Sequence, residues 1–529
     1  MLLDVKYTPT TGIFGLAALW LVWRLWTFTI HPRLNKNLPK LIPYHVPFES
    51  TDNPLWFGHI VGFFRDGNTL VTRSRLRYAS NREPFNIVLA GQNTYIITSA
   101  KDTTAVFRNI ADLTFDAYVR DMMLRLGASQ AGFQVMWTKP SPEFVEARAA
   151  QNGFPNPNFK PLIHACEDMF KVQLHPGPEM EVLRSRLIAN ILERLSWDGA
   201  PDAAILDQMG KGNVRTVSLS HWIKHSMLEA ATKSFFGEAI FRVEPALLET
   251  FSSFDSNSWK FTYHLPRLFA NQVYLDKEKL TSAFIRYAEM PLHERSDACW
   301  MVRTLETEMR AVGTGDKDIG AYFLMLFWPI QGNPWKVAFW FMAYLLYNPG
   351  IKQRIAAELY HLMESQPPLS PIELCKGLNA CPLLTASYHE TLRLTSSTIT
   401  VRDVVNDCVI GEKLLQRGSR VLISYRQMFL DKSVFGTDVH SFRPERFLDN
   451  PGLAKDPSFR PFGGGLTYCP GRFLAQNEIC TVVAILVAKF IWELRDPSAA
   501  FPEMDERKPG LGIMFPAEDA DVLVNVRCR

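Results

Sequence analysis

Between Phe462 and Arg472 the chain reads FGGGLTYCPGR, and an apolar run then continues to Leu494. Three glycines in a row permit left-handed backbone and close approach to a flat partner, and Pro470-Gly471 starts a helix immediately after a cysteine. The sulfur of Cys469 is thereby placed at a helix amino end. Free amides and the helix dipole favour a thiolate there and lower its pKa, as a soft iron ligand requires. Phe462, upstream in the same loop, is placed to shield that sulfur from water. The other cysteines, at 166, 299, 375, 381, 408, 480 and 528, form no CxxC pair and read as inert thiols of a reducing compartment.

With 529 residues, 47% of them hydrophobic, the chain can bury a large core. Its net charge of +3 and the lack of a basic run interleaved with aromatics argue against nucleic acid as a partner. Residues 11–30, TGIFGLAALWLVWRLWTFTI, are apolar except for Arg24 and read as a single-pass transmembrane anchor behind a lumenal tail, 1–10. His31, Arg33, Lys36 and Lys40 follow without an acidic residue, which keeps the bulk of the chain cytosolic and makes the endoplasmic reticulum membrane the expected location. Arg24 is expected to snorkel towards the cytosolic face.

Residues 31–53 read as a proline-rich hinge and 54–529 as one large catalytic domain, mainly α with small β-sheets. Alternation over 84–100 around Gly91-Gln92-Asn93 predicts a β-hairpin. The stretch 160–395 is mostly helical. Asn348-Pro349 opens one helix, and Ser370-Pro371-Ile372-Glu373 is a capping box opening another. SRVLISYRQM, 419–428, looks extended, 472–494 looks like one long helix, and 320–347 looks like another, kinked at Pro334.

The pattern F-x-x-G-x-x-x-C-x-G, carried by Phe462, Gly465, Cys469 and Gly471, resembles the haem-thiolate loop of the cytochrome P-450 superfamily. Two further motifs precede it in order. Glu390-x-x-Arg393 sits one helical turn apart in HETLRL, and Arg446 lies in SFRPERF. The resemblance implies a cytochrome P-450 fold over nearly the whole chain and a bound haem b with Cys469 as its iron ligand. It also implies a structural Glu390–Arg393–Arg446 cluster and a haem-propionate contact from Arg402. An NADPH-dependent flavoprotein reductase is the implied electron source.

This sequence departs from the family in two places. Thr467 stands where many members carry Arg or His, weakening one propionate contact, and the W-x-x-x-R of the third helix is not found. Gly332 and Asn333 stand where the family has an acid–alcohol pair, which supplies protons for O–O cleavage. Asparagine forms hydrogen bonds but releases no proton. Asn333 remains the distal catalytic candidate, with Gln331 behind it. Gln331-Gly332-Asn333, ETLRLTSSTITVRD and KPGLGIMFP resemble the branch that includes cholesterol 7α-hydroxylase and prostacyclin synthase, and the cysteine loop resembles fungal specialised-metabolism enzymes. That branch contains both monooxygenases and a peroxide isomerase, so the asparagine leaves the reaction type open.

By family position, the pocket draws on Met122, Met123, Leu126, Phe133, Phe254, Phe261, Phe323, Phe327, Met514 and Phe515, an apolar set suited to a sterol, terpenoid or polyketide. The expected activity is oxidation of such a substrate with dioxygen and NADPH. The alternatives are a reductase-independent isomerase or dehydratase of an oxygenated lipid, and a non-catalytic haem or lipid carrier.

Overall fold

The N-terminal apolar run is helical throughout its described length: α1 (Pro9–Leu25) passes through a π-helical turn, Trp26–Ile30, into His31–Leu34. The computed structural model describes residues 9–44, 58–79, 81–209, 214–365, 369–506 and 508–529, so most of the tail 1–10 and the later part of the hinge, 45–53, lie outside them. The segment Gly12–Leu34 has a mean hydropathy of 1.6, is almost wholly exposed, and is long and apolar enough to cross a membrane. Arg24 is directed at the chain that follows the anchor. Its Nη1 donates to the Tyr44 carbonyl at 2.9 Å, and its guanidinium lies over the Trp20 and Phe28 rings, because a backbone acceptor is within reach.

The chain divides into two compact units. The first comprises Met1–Phe115, Ile399–Met428 and Glu506–Pro509. Its main sheet has six strands in the order Lys40–Leu41, Phe85–Leu89, Gln92–Ile97, Arg420–Ser424, Ile399–Val404 and Leu113–Thr114. The predicted hairpin is present, with Leu89 opposite Gln92 and Phe85 opposite Ile96. Its turn falls one residue earlier than the sequence suggested, at Ala90 and Gly91, whose positive φ angles of 50° and 81° match the right-handed twist of the strands. The extended stretch 419–428 is a strand only to Ser424 and then turns helical, Tyr425–Phe429.

The second unit comprises Asp116–Thr398, Phe429–Asp505 and Gly510–Arg529 and holds most of the helices. Those that position the site are α2 (Leu219–Phe236), α3 (Leu247–Thr262), α4 (Arg267–Glu289), α5 (Asp316–Gly332), α6 (Pro334–Tyr347), α7 (Pro382–Thr395) and α8 (Arg472–Lys489). Local start signals are realised as read: Pro349–Met363 begins at the predicted proline, and Ser370 and Glu373 exchange both capping-box hydrogen bonds. A four-stranded sheet, Phe490–Leu494, Leu523–Cys528, Val214–Ser218 and Ile205–Met209, was not anticipated. Its first strand is the tail of the apolar run 472–494, which leaves the helix at Lys489 because Phe490 and Trp492 bury one face of a strand instead.

Within this unit Glu390, Arg393 and Arg446 are all essentially removed from solvent. Arg393 makes a two-pronged pair with Glu390, both contacts at 2.8 Å, and its Nη1 also donates to the Phe429 and Val439 carbonyls. Arg446 Nε donates to Glu390 Oε1 at 2.9 Å and ties in the Phe435 carbonyl. The cluster thus fastens α7 to the chain that leads into the cysteine loop. Breaking one member of a buried ionic set leaves an uncompensated charge and destabilises by ~3–5 kcal/mol. Arg393→Met is therefore expected to lower the unfolding free energy from urea denaturation by an amount of that order, and a value equal to wild type would remove the cluster from its structural role.

Candidate active site

The cysteine loop is built by backbone conformations that only some residues adopt. Gly463 and Gly465 have φ of 76° and 65°, the left-handed region that glycine enters without strain. The Cys469 amide donates to the Phe462 carbonyl at 3.1 Å and closes the loop, and Tyr468 donates back to Gly465 across a short 3₁₀ turn, Gly465–Thr467. Thr467 Oγ1 faces inward and donates to the Gly464 carbonyl at 3.4 Å. α8 then starts after Gly471, and a Cβ added to that glycine would lie 3.9 Å from the Cys469 sulfur. Arg472 donates to the Cys469 carbonyl at 2.9 Å and lies over the rings of Tyr468 and Phe473.

The sulfur's acidity differs from the sequence expectation. Burial pushes the Cys469 thiol up, while hydrogen bonds from the Gly471 and Arg472 amides and the Arg472 charge pull it down without prevailing. The helix amino end alone does not offset the loss of water. Cys469 is partly exposed, whereas Cys166, Cys299, Cys375, Cys381, Cys408 and Cys480 are buried, and Cys528 is exposed next to the C-terminus. Among the described residues no group of three or more His, Cys, Asp and Glu could cage a metal ion. One sulfur in a glycine cradle is the donor set that fits a porphyrin iron, which brings its own four nitrogens.

The long helix expected over 320–347 is two helices, α5 and α6, that break at Asn333. Pro334 starts α6, so the ring that was expected to kink one helix begins a new one. Asn333 Oδ1 accepts from the Ile513 amide at 2.9 Å. A Cβ on Gly512 would lie 2.1 Å from that oxygen, and one on Gly510 would lie 1.6 Å from the Ser397 carbonyl, so neither position admits a side chain. Ser397 donates to the Gly512 carbonyl and Met514 to the Thr395 carbonyl, both at 2.9 Å. The closing segment GLGIMFP is thereby wedged between the end of α7 and the break. Gln331 is buried and donates to Thr232 Oγ1 of α2 at 2.9 Å.

A polar group that sequence reasoning missed lies beside the break. Asp255 of α3 and Lys336 of α6, 5% and 4% exposed, pair at 3.0 Å. Trp328 Nε1 donates to Asp255 Oδ1 at 3.3 Å. The Lys336 ammonium sits 3.5 Å from the centre of the Phe515 ring, and Lys224 of α2 lies over Trp335. Burial pushes the Lys224 ammonium down, and Asp255 draws it partly back up. Asp255 sits in the polar stretch SFDSNS far upstream, and no local pattern marks it.

The apolar candidates divide. Phe254 and Phe261 pack on Trp328 at 5.0 and 6.4 Å, near the ion pair. Phe323 and Phe327 point into an aromatic core with Phe236, Phe251, Phe284 and Tyr287. Met122, Met123 and Leu126 are buried, and Phe133 packs against Trp137 beneath the Arg120 guanidinium. Arg402 belongs to the first unit and is described there by itself. It is 5% exposed between Phe107 and Phe115, donates to the Val401 carbonyl, and burial pushes its guanidinium below the usual range.

On α8, burial pushes the Glu478 carboxyl up to about 8. Its folded value lies above its unfolded one, so the folded chain holds a proton that the unfolded chain has lost between pH 4.5 and about 8. Stability falls with rising pH across that window, at most about 1.4 kcal/mol per unit for one group. Glu478→Gln is expected to flatten this part of the stability–pH curve and to raise the melting temperature on its alkaline side. An unchanged slope would show that the carboxyl is ionised at no such cost.

Residues 334–524 match the family model described as cytochrome P450. The chain is 25% identical over 469 residues to cytochrome P450 monooxygenase poxD of Penicillium oxalicum, spanning 86% of this chain and 87% of that one. It is 24% identical over 503 residues to human prostacyclin synthase, spanning 89% and 92%. Among solved structures, the retinoic-acid-bound cyanobacterial CYP120A1 superposes with a TM-score of 0.64 at 17% identity, over 93% of this chain and 99% of that one, which is a likeness of fold. With the cysteine loop and the buried Glu390–Arg393–Arg446 cluster in place, these matches show a cytochrome P450 domain over residues 334–524 and an oxidoreductase similar to cytochrome P450 monooxygenases.

Proposed function

We propose that the protein is a membrane-anchored monooxygenase that places one atom of dioxygen into an apolar polycyclic or lipid-like substrate, a sterol, terpenoid or polyketide. The observation that carries this reading is the cysteine loop, which sets the Cys469 sulfur at the amino end of α8. Haem b, when bound there, supplies the iron that activates dioxygen, with electrons from NADPH through a flavoprotein reductase.

The chain's own residues hold and orient. Cys469 ligates the metal, and the amides of Gly471 and Arg472 fix the sulfur. Gly465 keeps the loop close, and Phe462 limits water at the sulfur. Arg402, a buried cation in an aromatic setting, is suited to a haem propionate, whose charge restores what burial removes. Asn333 keeps its Oδ1 on Ile513, which leaves Nδ2 as the donor it offers. Phe254 and Phe261 supply apolar wall, and Gly12–Leu34 supplies the anchor for an enzyme of the endoplasmic reticulum membrane.

The similarity to prostacyclin synthase and the Gly332-Asn333 pair favour a second reading, rearrangement of an oxygenated lipid without reductase. Expression in a microsomal host with a reductase, fed sterols and terpenoids, separates the two. Oxygenated product that requires NADPH, reductase and dioxygen supports the first reading; anaerobic conversion of a lipid peroxide without reductase replaces it with the second. Cys469→Ser is expected to abolish the thiolate-type carbon monoxide difference spectrum. Arg402→Leu is expected to lower haem retained per chain after gel filtration, and full retention would remove it from the haem contacts.

A further inference from the structure

The acid that the family pattern puts at position 332 is missing from the sequence, yet a carboxylate occupies the space beside that position. A Cβ built on Gly332 lies 3.3 Å from Asp255 Oδ1, close to where a side chain at 332 would begin. We propose that Asp255, reaching across from α3, is the proton-carrying carboxylate of the distal side, and that Lys336 is the positioning residue that holds it at the break between α5 and α6. The inference rests on the monooxygenase reading above.

Three observations carry it. Asp255 is buried, accepts from Trp328 Nε1 on Oδ1 at 3.3 Å, and sets Oδ2 3.0 Å from the Lys336 ammonium in an ion pair that closes no hydrogen bond. Gly332 makes room for it: a carboxylate-bearing side chain at 332 would meet Asp255 at its first carbon, and two carboxylates so close repel. Lys336 lies in the first turn of α6, three residues after Asn333 at the break, and Asn333 itself anchors Ile513. The carboxylate, the ammonium and the distal candidate therefore converge on one helix break. Asparagine cannot release a proton; a carboxylate beside it can.

The chemistry balances with the reductant already named. Two electrons from NADPH and two protons reduce one oxygen atom of dioxygen to water, while the other oxygen enters a C–H bond of the substrate. The O–O and C–H bonds break, and C–O and O–H bonds form. Asp255 takes a proton from the solvent side, gives it up for the oxygen atom that becomes water and ends unchanged. Lys336 keeps its own proton, so the site is never left with an unpaired buried anion. Lys224 of α2 is half-buried and its charge is drawn up by the same carboxylate.

A carboxylate swap tests this in the purified holoenzyme with its reductase, NADPH and a turned-over substrate. The variants are Asp255→Asn, Asp255→Asn/Gly332→Asp and Asp255→Asn/Lys336→Met, each read by melting temperature and by product and hydrogen peroxide per NADPH. Asp255→Asn is expected to lower product per NADPH by about tenfold or more, within the reach of a lost proton donor, with peroxide making up the balance. Returning the acid to α5 in Asp255→Asn/Gly332→Asp is expected to restore most of the product. Asp255→Asn/Lys336→Met, which removes both charges, is expected to recover melting temperature but not coupling. Wild-type coupling in that last variant, or a folded swap variant that stays uncoupled, overturns the proposal and leaves the pair a structural staple. If Asp255→Asn fails to fold, the two double variants still decide. Wild type that consumes neither NADPH nor dioxygen instead overturns the monooxygenase reading.

Discussion

A single buried carboxylate, Glu390, organises the second unit. Both of its oxygens are engaged, by Arg393 from its own helix and by Arg446 and the Arg443 amide from the segment that precedes the cysteine loop. Charges this deep persist only when every lone pair and every guanidinium proton is satisfied, and here Arg393 and Arg446 spend their remaining donors on the carbonyls of Phe429, Val439 and Phe435. The chain from Phe429 to Arg446 is therefore pinned to α7, and the loop that follows starts from a fixed base. A reactive sulfur set on glycines needs such a base, because the glycines themselves give it no rigidity.

The distal side follows a different logic. It is assembled from pieces remote in sequence: the end of α5, the start of α6, Asp255 from α3 and the closing segment 510–516. Asn333 shows the result. At the helix break its side chain accepts from the Ile513 amide, so one residue ties the break to the closing segment. The side chains expected to line a pocket are likewise less uniformly apolar than their sequence suggests, since a buried ion pair sits against Phe515 and next to Phe254.

What was legible in the sequence was local. The cysteine loop, the Glu390-x-x-Arg393 spacing, the capping box at Ser370 and the proline starts are short patterns whose physics is complete within a few residues, and the structure realises the last two as read. What was not legible depended on partners far along the chain. The break at Asn333 is stabilised by an amide 180 residues away. The strand Phe490–Leu494 is apolar enough to extend the helix before it, and only pairing with Leu523–Cys528 decides otherwise. Asp255 carried no signal because its neighbours are polar and its partner lies on another helix. The acidity of Cys469 was misjudged for a related reason: the helix end is visible in sequence, whereas the burial that outweighs it is not.

Gly510 and Gly512 act as a rail. A first side-chain carbon at Gly510 would meet the Ser397 carbonyl and one at Gly512 the Asn333 side chain, so the closing segment lies this close to the helix break only while both positions stay bare.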